Sequence, residues 1–410
     1  MVKLEDIRNA AQAIQGMILR TPLIYSPTIS KISGCEVYLK LENLQRGGSF
    51  KIRGAAYKVR SHLNEARKGV VAASIGNHAQ GVALASKAAD VPATIVMPLW
   101  ASITKQEATK EYGAELILKG HSLTEAIEFA RMMAKQSGRL FIHPYDDPEI
   151  IAGQGTIGLE IIEDLPDADV IIVPVGGGGL IGGIATAVKA LHSETSIVGV
   201  QASACPSAYE ALNSGMPVLV DGVEEKGSIA DAIMVPQVGA SDFPLLRDLV
   251  DNIAVVTEDQ IAAAILLLLE RKKILAEGAG AVSLAALLSS SLKIPKGSKV
   301  VLVISGGNID SLLLDRVIHQ GLLHHGRLMQ FSVALEDVPG SLAKLLEMVA
   351  ELQANVVNIH HARNERDLTI NFTRVDLELE TRGFEHIKEI AAALDNAGYR
   401  ILARPIINEP

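Results

Sequence analysis

Short apolar runs free of charged residues alternate with helical patterns through most of the chain. Val70–Ala73, Thr94–Met97, Leu116–Leu118, Val170–Val175, Ile197–Val200, Ile253–Val256 and Val300–Ile304 read as strands, preceded by the alternating run Val37–Glu42. Helices fit between them at Ala79–Ala89, Thr104–Tyr112, Leu123–Ala134, Leu180–Leu191 and Gln260–Lys272, the last opened by a capping box, Thr257 with Gln260. Uncharged strands alternating with helices predict an α/β chain with parallel sheets covered on both faces. Ligands of such sheets lie beyond the carboxyl ends of the strands, so chemistry is sought in the loops that follow them.

The 410 residues exceed what one core supports, and two or three domains are expected. The pattern changes near His324-His325-Gly326-Arg327. Strand Leu328–Leu335, helix Gly340–Leu352, strands Val356–His360 and Leu368–Val375, helix Phe384–Leu394 and strand Tyr399–Ala403 then form a ferredoxin-like βαββαβ unit. The expected division is 1–323 and 328–410, with a smaller lobe at roughly 45–145. A formal charge of −9 argues against nucleic acid or an anionic membrane as partner. Val170–Val188 is uncharged and nearly long enough to span a bilayer, but Pro174 and a run of glycines break it into strand, loop and helix. Two cysteines, Cys35 and Cys205, are too few for a disulfide framework or a four-cysteine zinc site. The acidic start, Met1-Val2-Lys3-Leu4-Glu5-Asp6, is unlike a signal peptide, and a cytoplasmic location is expected.

Glycine-rich loops follow the strands. Gly47-Gly48-Ser49-Phe50-Lys51-Ile52-Arg53-Gly54 sets a lysine between a strand and a helix. Desolvated there, Lys51 becomes an amine nucleophile able to form a Schiff base; taken alone, it is also what an ordinary solvated loop lysine looks like. Gly176-Gly177-Gly178-Gly179-Leu180 joins strand to helix, and its backbone N–H groups suit a phosphate. It satisfies G-x-G-x-x-G through Gly177, Gly179 and Gly182, but the next strand ends at Gln201 rather than at a ribose-binding acid, which favours a single phosphate over a dinucleotide. Ser74-Ile75-Gly76-Asn77-His78 opens another helix and suits a carboxylate or ring oxygen, although Ser74 or Asn77 also reads as a plain N-cap. Ser305-Gly306-Gly307-Asn308 and a loop at Glu277-Gly278-Ala279-Gly280 complete the set, each with an ordinary turn as the alternative. An imine-forming lysine, a phosphate cradle and neutral polar loops together match pyridoxal 5′-phosphate, whereas a nicotinamide cofactor leaves the lysine unexplained.

With these motifs in order, the chain resembles the threonine dehydratases (threonine ammonia-lyases). The resemblance rests on Ser49–Gly54, Gly76–Val82, Gly153-Gln154-Gly155-Thr156, Gly176–Leu180, Glu277–Gly280 and Ser305–Asn308 and covers about residues 1–320. It implies the type II pyridoxal-phosphate fold of the tryptophan synthase β subunit, with two parallel-sheet lobes. Residues 328–410 resemble an ACT domain, an amino-acid-sensing module, through Glu336–Leu342 and Ala354–Ile359. By this resemblance Lys51 forms the Schiff base and then works the Cα proton, Phe50 flanks the ring and Asn77 bonds the 3′-oxygen. Gly176, Gly177, Gly178, Gly179 and Leu180 hold the phosphate, and Ser305 meets the pyridine nitrogen. Ser74 and His78 are candidates for the substrate carboxylate, and Asp337, Gly340, Asn355 and Asn358 for an amino-acid effector between paired ACT domains. The implied reaction converts L-threonine to 2-oxobutanoate and ammonia, and L-serine to pyruvate as a secondary activity. A homo-oligomer, dimer or tetramer, is expected.

Two departures matter. The related serine racemases carry a serine where Ile75 stands, so elimination is expected over racemisation. They hold a divalent metal with a Glu and an Asp where this chain has Gln201 and Ser207, so no metal site is assigned. Asp231-Ala232-Ile233 also stands where relatives show Asp-Gly. The alternatives are a dehydratase of another β-hydroxy amino acid, such as 3-hydroxyaspartate, with Arg53 the nearby candidate for its second carboxylate; a racemase-like enzyme; and a non-catalytic sensor, which has no use for Lys51 and the glycine loop.

Overall fold

The computed structural model describes residues 1–223, 227–289, 291–363 and 368–403. Among the described residues fourteen strands form three sheets. β1 to β10 are Leu23–Tyr25, Glu36–Leu41, Val70–Ala73, Ala93–Met97, Glu115–Leu118, Leu140–Phe141, Val170–Pro174, Ser196–Ala202, Asn252–Val256 and Lys299–Ile304. β11 to β14 are Leu328–Glu336, Asn355–Ala362, Phe372–Glu380 and Arg400–Ala403. The first unit, Met1–Asp310, contains a six-stranded sheet ordered β1-β2-β10-β7-β8-β9 and a four-stranded sheet ordered β5-β4-β3-β6. All pairings in both are parallel except β1 with β2. β3, β4 and β7 are buried along their whole length, which is why they read as uninterrupted apolar runs. The larger sheet packs on Ile171, Val173, Ile181, Ile184 and Val301, the smaller on Ile52, Val59, Val70, Val82 and Ile95.

The second unit is Ser311–Pro410, so helix Ser311–His324 groups with the C-terminal sheet rather than with the segment before residue 323. Its strands follow the order β12-β13-β11-β14 and are antiparallel. Helices Ser341–Glu351 and Phe384–Asn396 give the βαββαβ order expected, over a core of Phe331, Val333, Leu345, Leu377 and Ile390.

Several elements differ from the sequence reading. The strand expected at Leu368–Val375 is Phe372–Glu380; Asp376, Glu378 and Glu380 alternate with buried Val375, Leu377 and Leu379, so acids on one face hid its second half. The region around Glu277–Gly280 is not a loop: Gly278–Leu288 is a buried helix beginning right after Glu277. The Gly153–Thr156 motif lies in helix Pro148–Asp164, capped by Asp147. Its glycines admit close helix packing, since a Cβ on Gly153 would stand 2.6 Å from Gly54 Cα on helix Lys51–Ser61. The capping box at Thr257 and Gln260 forms as expected.

Candidate active site

The carboxyl ends of β2, β3, β7 and β10 converge on one cavity of about 620 Å³ in the first unit. Phe50, Lys51, Ser74, Asn77, His78, Gly176–Gly179, Leu180 and Ser305 all line it, so the structure brings every expected cofactor and substrate residue to one place. The lysine loop and the β10 loop are stitched directly. Phe50 N donates to Ser305 O at 3.1 Å and Gly307 N to Gly48 O at 2.9 Å, which sets Lys51 at the start of its helix beside the β10 loop.

Asn77 is held on both sides of its amide. Its Oδ1 accepts from Asn308 Nδ2 at 2.8 Å and its Nδ2 donates to Glu277 Oε1 at 2.6 Å. Asn308 also reaches Gly47 O and Gln80 Oε1. Ser305 Oγ donates to Ala279 O at 3.3 Å, a long bond that a rotating hydroxyl can redirect to a ring nitrogen. Ser74 Oγ accepts from Gly76 N at 3.1 Å, beside the N-terminus of helix Asn77–Ala88. His78 Nε2 lies 3.1 Å from Ile142 O; a carbonyl only accepts, so this nitrogen carries the proton. Burial pushes the His78 imidazolium down to about 3, and the ring is a neutral part of the wall.

Burial also lowers the Lys51 amine to about 8, opposed by Asp242 and Glu277. Its Nζ donates to Pro144 O at 2.8 Å. Glu277 is raised to about 7 by burial and then by Asp231. Both oxygens of Asp242 are buried without a hydrogen-bond partner among the described residues, and burial raises its carboxyl well above the usual range. Burial therefore works against the charged form of both carboxyls, Glu277 in the cavity wall and Asp242 behind it. Lys105 and Asp231 also line it, paired at 3.1 Å.

Arg53 is not a substrate group. It is fully buried away from the cavity, bonded to Glu42 and Glu160. Gln201 and Ser207 are buried and satisfied by neutral partners: Gln201 accepts from Ala208 N and Tyr209 N and donates to Val175 O and Ser207 Oγ. Among the described residues no cluster of His, Cys, Asp and Glu is arranged to hold a metal, and no helix is long and apolar enough to cross a membrane. Pro144, Tyr145 and Asp242 are the functional neighbours that sequence reasoning missed. Pro144 acts through a backbone carbonyl, and Tyr145 and Asp242 through contacts distant in sequence, so none leaves a local pattern; Pro144-Tyr145 stands just ahead of Asp147, which caps the helix that holds Gly153–Thr156.

The residues fit pyridoxal 5′-phosphate. A Cβ on Gly177 would fall 2.3 Å from the Tyr145 ring, so the loop is bare because a wall already closes on it. Bare backbone at the start of helix Gly179–Leu191 offers N–H groups and the positive helix end to a phosphate. Gly177→Ala is accordingly expected to weaken cofactor binding at least about tenfold, because Tyr145 or the loop must move by more than a side chain yields; cofactor titration of the stripped protein measures it.

The model of the pyridoxal-phosphate-dependent enzyme family matches residues 14–306. The L-threonine ammonia-lyase of Thermotoga maritima is 48% identical over 403 residues, 98% of this chain and 99% of its own. Among solved structures, the processed form of a threonine deaminase from Solanum lycopersicum is 36% identical with a TM-score of 0.73, over 77% of this chain and 92% of that one. Maize serine racemase is 34% identical with a TM-score of 0.73, over 79% and 98%.

Proposed function

The chain belongs to the pyridoxal-phosphate-dependent enzymes, and from that premise we propose that it is a threonine ammonia-lyase, converting L-threonine to 2-oxobutanoate and ammonia and L-serine to pyruvate more slowly. The observation that carries this reading is one cavity in which a buried lysine amine, a bare glycine loop at a helix start and a doubly held asparagine meet. The bound cofactor supplies a conjugated ring that takes up the electron pair left when the Cα proton departs. Gly176–Leu180 hold its phosphate, Asn77 its ring hydroxyl, Ser305 its ring nitrogen, and Phe50 flanks the ring. Ser74 and the first amides of helix Asn77–Ala88 take the substrate carboxylate, with neutral His78 closing the wall behind them. Lys51 would remove the Cα proton and return it to the departing β-hydroxyl, which leaves as water; the lysine amine then displaces the enamine, which tautomerises to an imine and is hydrolysed to the 2-oxo acid and ammonia.

Ile75 lines the cavity and cannot move a proton, which favours elimination over the racemisation named for the maize protein. A 3-hydroxyaspartate reading loses its support, because Arg53 is committed to Glu42 and Glu160 and Lys105 is held by Asp231.

The C-terminal unit is read as an ACT domain that pairs with a second copy and binds an amino acid. β11 and β12 both pair antiparallel with β13 and so run in the same direction. Asn355 aligns through Glu380 with Leu328, at the start of β11, while Asp337 and Gly340 follow its end, about 30 Å away by strand rise. Within one copy Asp337 meets Arg363 instead. A two-fold pairing along edge strand β12, which exposes Val357 and Ile359, would run the two strands antiparallel and carry Asn355 and Asn358 of one copy toward Asp337 and Gly340 of the other. The division of labour is then a catalytic unit, 1–310, and a sensing unit beyond it.

The test is 2-oxo acid release from L-threonine, L-serine and 3-hydroxyaspartate, with and without isoleucine or valine. Threonine is expected to be turned over fastest and 3-hydroxyaspartate not at all, with a branched amino acid shifting threonine activity. No 2-oxobutanoate from loaded protein overturns the catalytic reading. Indifference to every branched amino acid removes the effector.

A further inference from the structure

We propose that the Pro144 carbonyl, fixed in place by the His143 imidazole, is the resting acceptor for the Lys51 amine whenever that amine is not covalently engaged, which makes His143 a positioning residue for the proton transfer. The inference rests on the reading of Lys51 as the reacting base. A lysine that must release its bond, take a proton and return has a long side chain with many rotamers, and needs a fixed non-covalent location in between. The structure supplies one: Lys51 Nζ donates to Pro144 O at 2.8 Å.

That carbonyl belongs to an irregular turn, His143–Asp147, between β6 and helix Pro148–Asp164. The turn is held by side chains. His143 Nδ1 accepts from Tyr145 N at 3.3 Å and from Asp146 N at 2.8 Å. A nitrogen that accepts from two backbone amides is bare, so the ring proton is on Nε2 and the ring is neutral. Burial, with Arg131 and Lys51 adding to it and the Asp146 carboxylate opposing, holds the imidazolium down to about 4, so the acceptor persists across the neutral range. On the far side of the turn the Asp146 carboxylate accepts from Ala240 N and Ser241 N, and Asp147 N donates to Tyr145 O.

One imidazole therefore sets two parts of the site. It aims the Pro144 carbonyl, and it meets the Tyr145 ring edge-on, with centroids 4.7 Å apart, where that ring closes on Gly177. When Lys51 becomes an ammonium, its bond to the carbonyl becomes charge-assisted and strengthens, so the resting position favours the protonated amine.

His143→Leu removes the acceptor. His143→Asn keeps it, since an asparagine oxygen accepts from the second and third amides that follow it, and His143→Gln carries the same amide one methylene too far. In full-length protein stripped of cofactor, competitive acetylation of Lys51 followed by mass spectrometry across pH reads the amine itself. Its titration should fall by about half a unit or more in H143L and H143Q, because the charged form loses an acceptor, and stay at the wild-type value in H143N. In loaded enzyme, kcat for threonine should fall about tenfold or more in H143L and H143Q with KM within about threefold and the cofactor's visible band retained, while H143N stays within about threefold of wild type. An unshifted Lys51 titration in H143L overturns the proposal, and so does H143N falling as far as H143L. If H143L does not fold, the Asn and Gln variants decide, and equal behaviour of the two overturns it. A wild-type protein inactive on threonine would sink the proposed function while leaving the acetylation result to stand.

Discussion

Replacing Lys51 with alanine is expected to lower threonine turnover by about a thousandfold or more, because one side chain supplies both the covalent link and the base. Among the described residues of the cavity no other amine is free to replace it. Lys105, the other lysine of the cavity, is paired with Asp231. Lys51→Arg should fail almost as badly, since a guanidinium stays charged and can neither attack nor take a proton. Assay of 2-oxobutanoate measures the loss, and borohydride reduction with peptide mapping should leave the cofactor's mass on residue 51 of the wild type only. The amine titrates near 8 rather than at the usual 10.5. Capture of cofactor by the stripped wild-type protein should therefore quicken as pH rises toward about 8 and level off above it. A rate still climbing steeply at about pH 10, where an ordinary lysine titrates, would mean that burial does not activate Lys51.

Residues that act through contiguous backbone were legible before the fold was known. Lys51 between glycines, the run Gly176–Gly179 and the loops at Ser74 and Ser305 each follow a strand, and the parallel sheet sends such loops to one side. Residues that act through a tertiary contact were not. The Pro144 carbonyl has no side-chain signature, and Glu277 matters through Asn77, 200 positions away in sequence. Glycine-rich helices misled in the opposite sense. Gly278-Ala279-Gly280 looks like a loop by propensity, yet it is the first turn of a buried helix, where tertiary packing outweighs the intrinsic cost of glycine. Arg53 stands off the cavity for a simpler reason. Two residues along a helix rotate a side chain by about 200°, so Lys51 and Arg53 leave opposite sides of helix Lys51–Ser61.

That opposite side explains the second large effect. Arg53→Leu should destabilise the catalytic unit by about 3–5 kcal/mol, the range seen when one partner of a buried ion pair is removed. Arg53 donates to both oxygens of Glu42, each at 2.8 Å, to both oxygens of Glu160 at 2.6 and 2.9 Å, and to Thr156 Oγ1 at 3.1 Å. Lys40 Nζ meets Glu160 at 2.5 Å, so two cations balance two carboxylates in a site that water does not reach. Removing Arg53 leaves a net negative charge there. Arg53→Lys should recover only part of the loss, because one ammonium cannot reproduce a planar fork that bridges two carboxylates. Adding Glu42→Gln to Arg53→Leu should recover some stability by removing the unpaired charge, although Glu42→Gln alone is destabilising; that inversion of sign marks the coupling. Trp100 is the only tryptophan of the chain and lies in the first unit, so its fluorescence in a denaturant series follows this unit without the other. The same bonds tie β2, helix Lys51–Ser61 and helix Pro148–Asp164 together directly behind Lys51. Cofactor retention on warming should accordingly fall with stability, while the ranking of threonine over 3-hydroxyaspartate stays as it was. A change in that ranking would return Arg53 to the substrate.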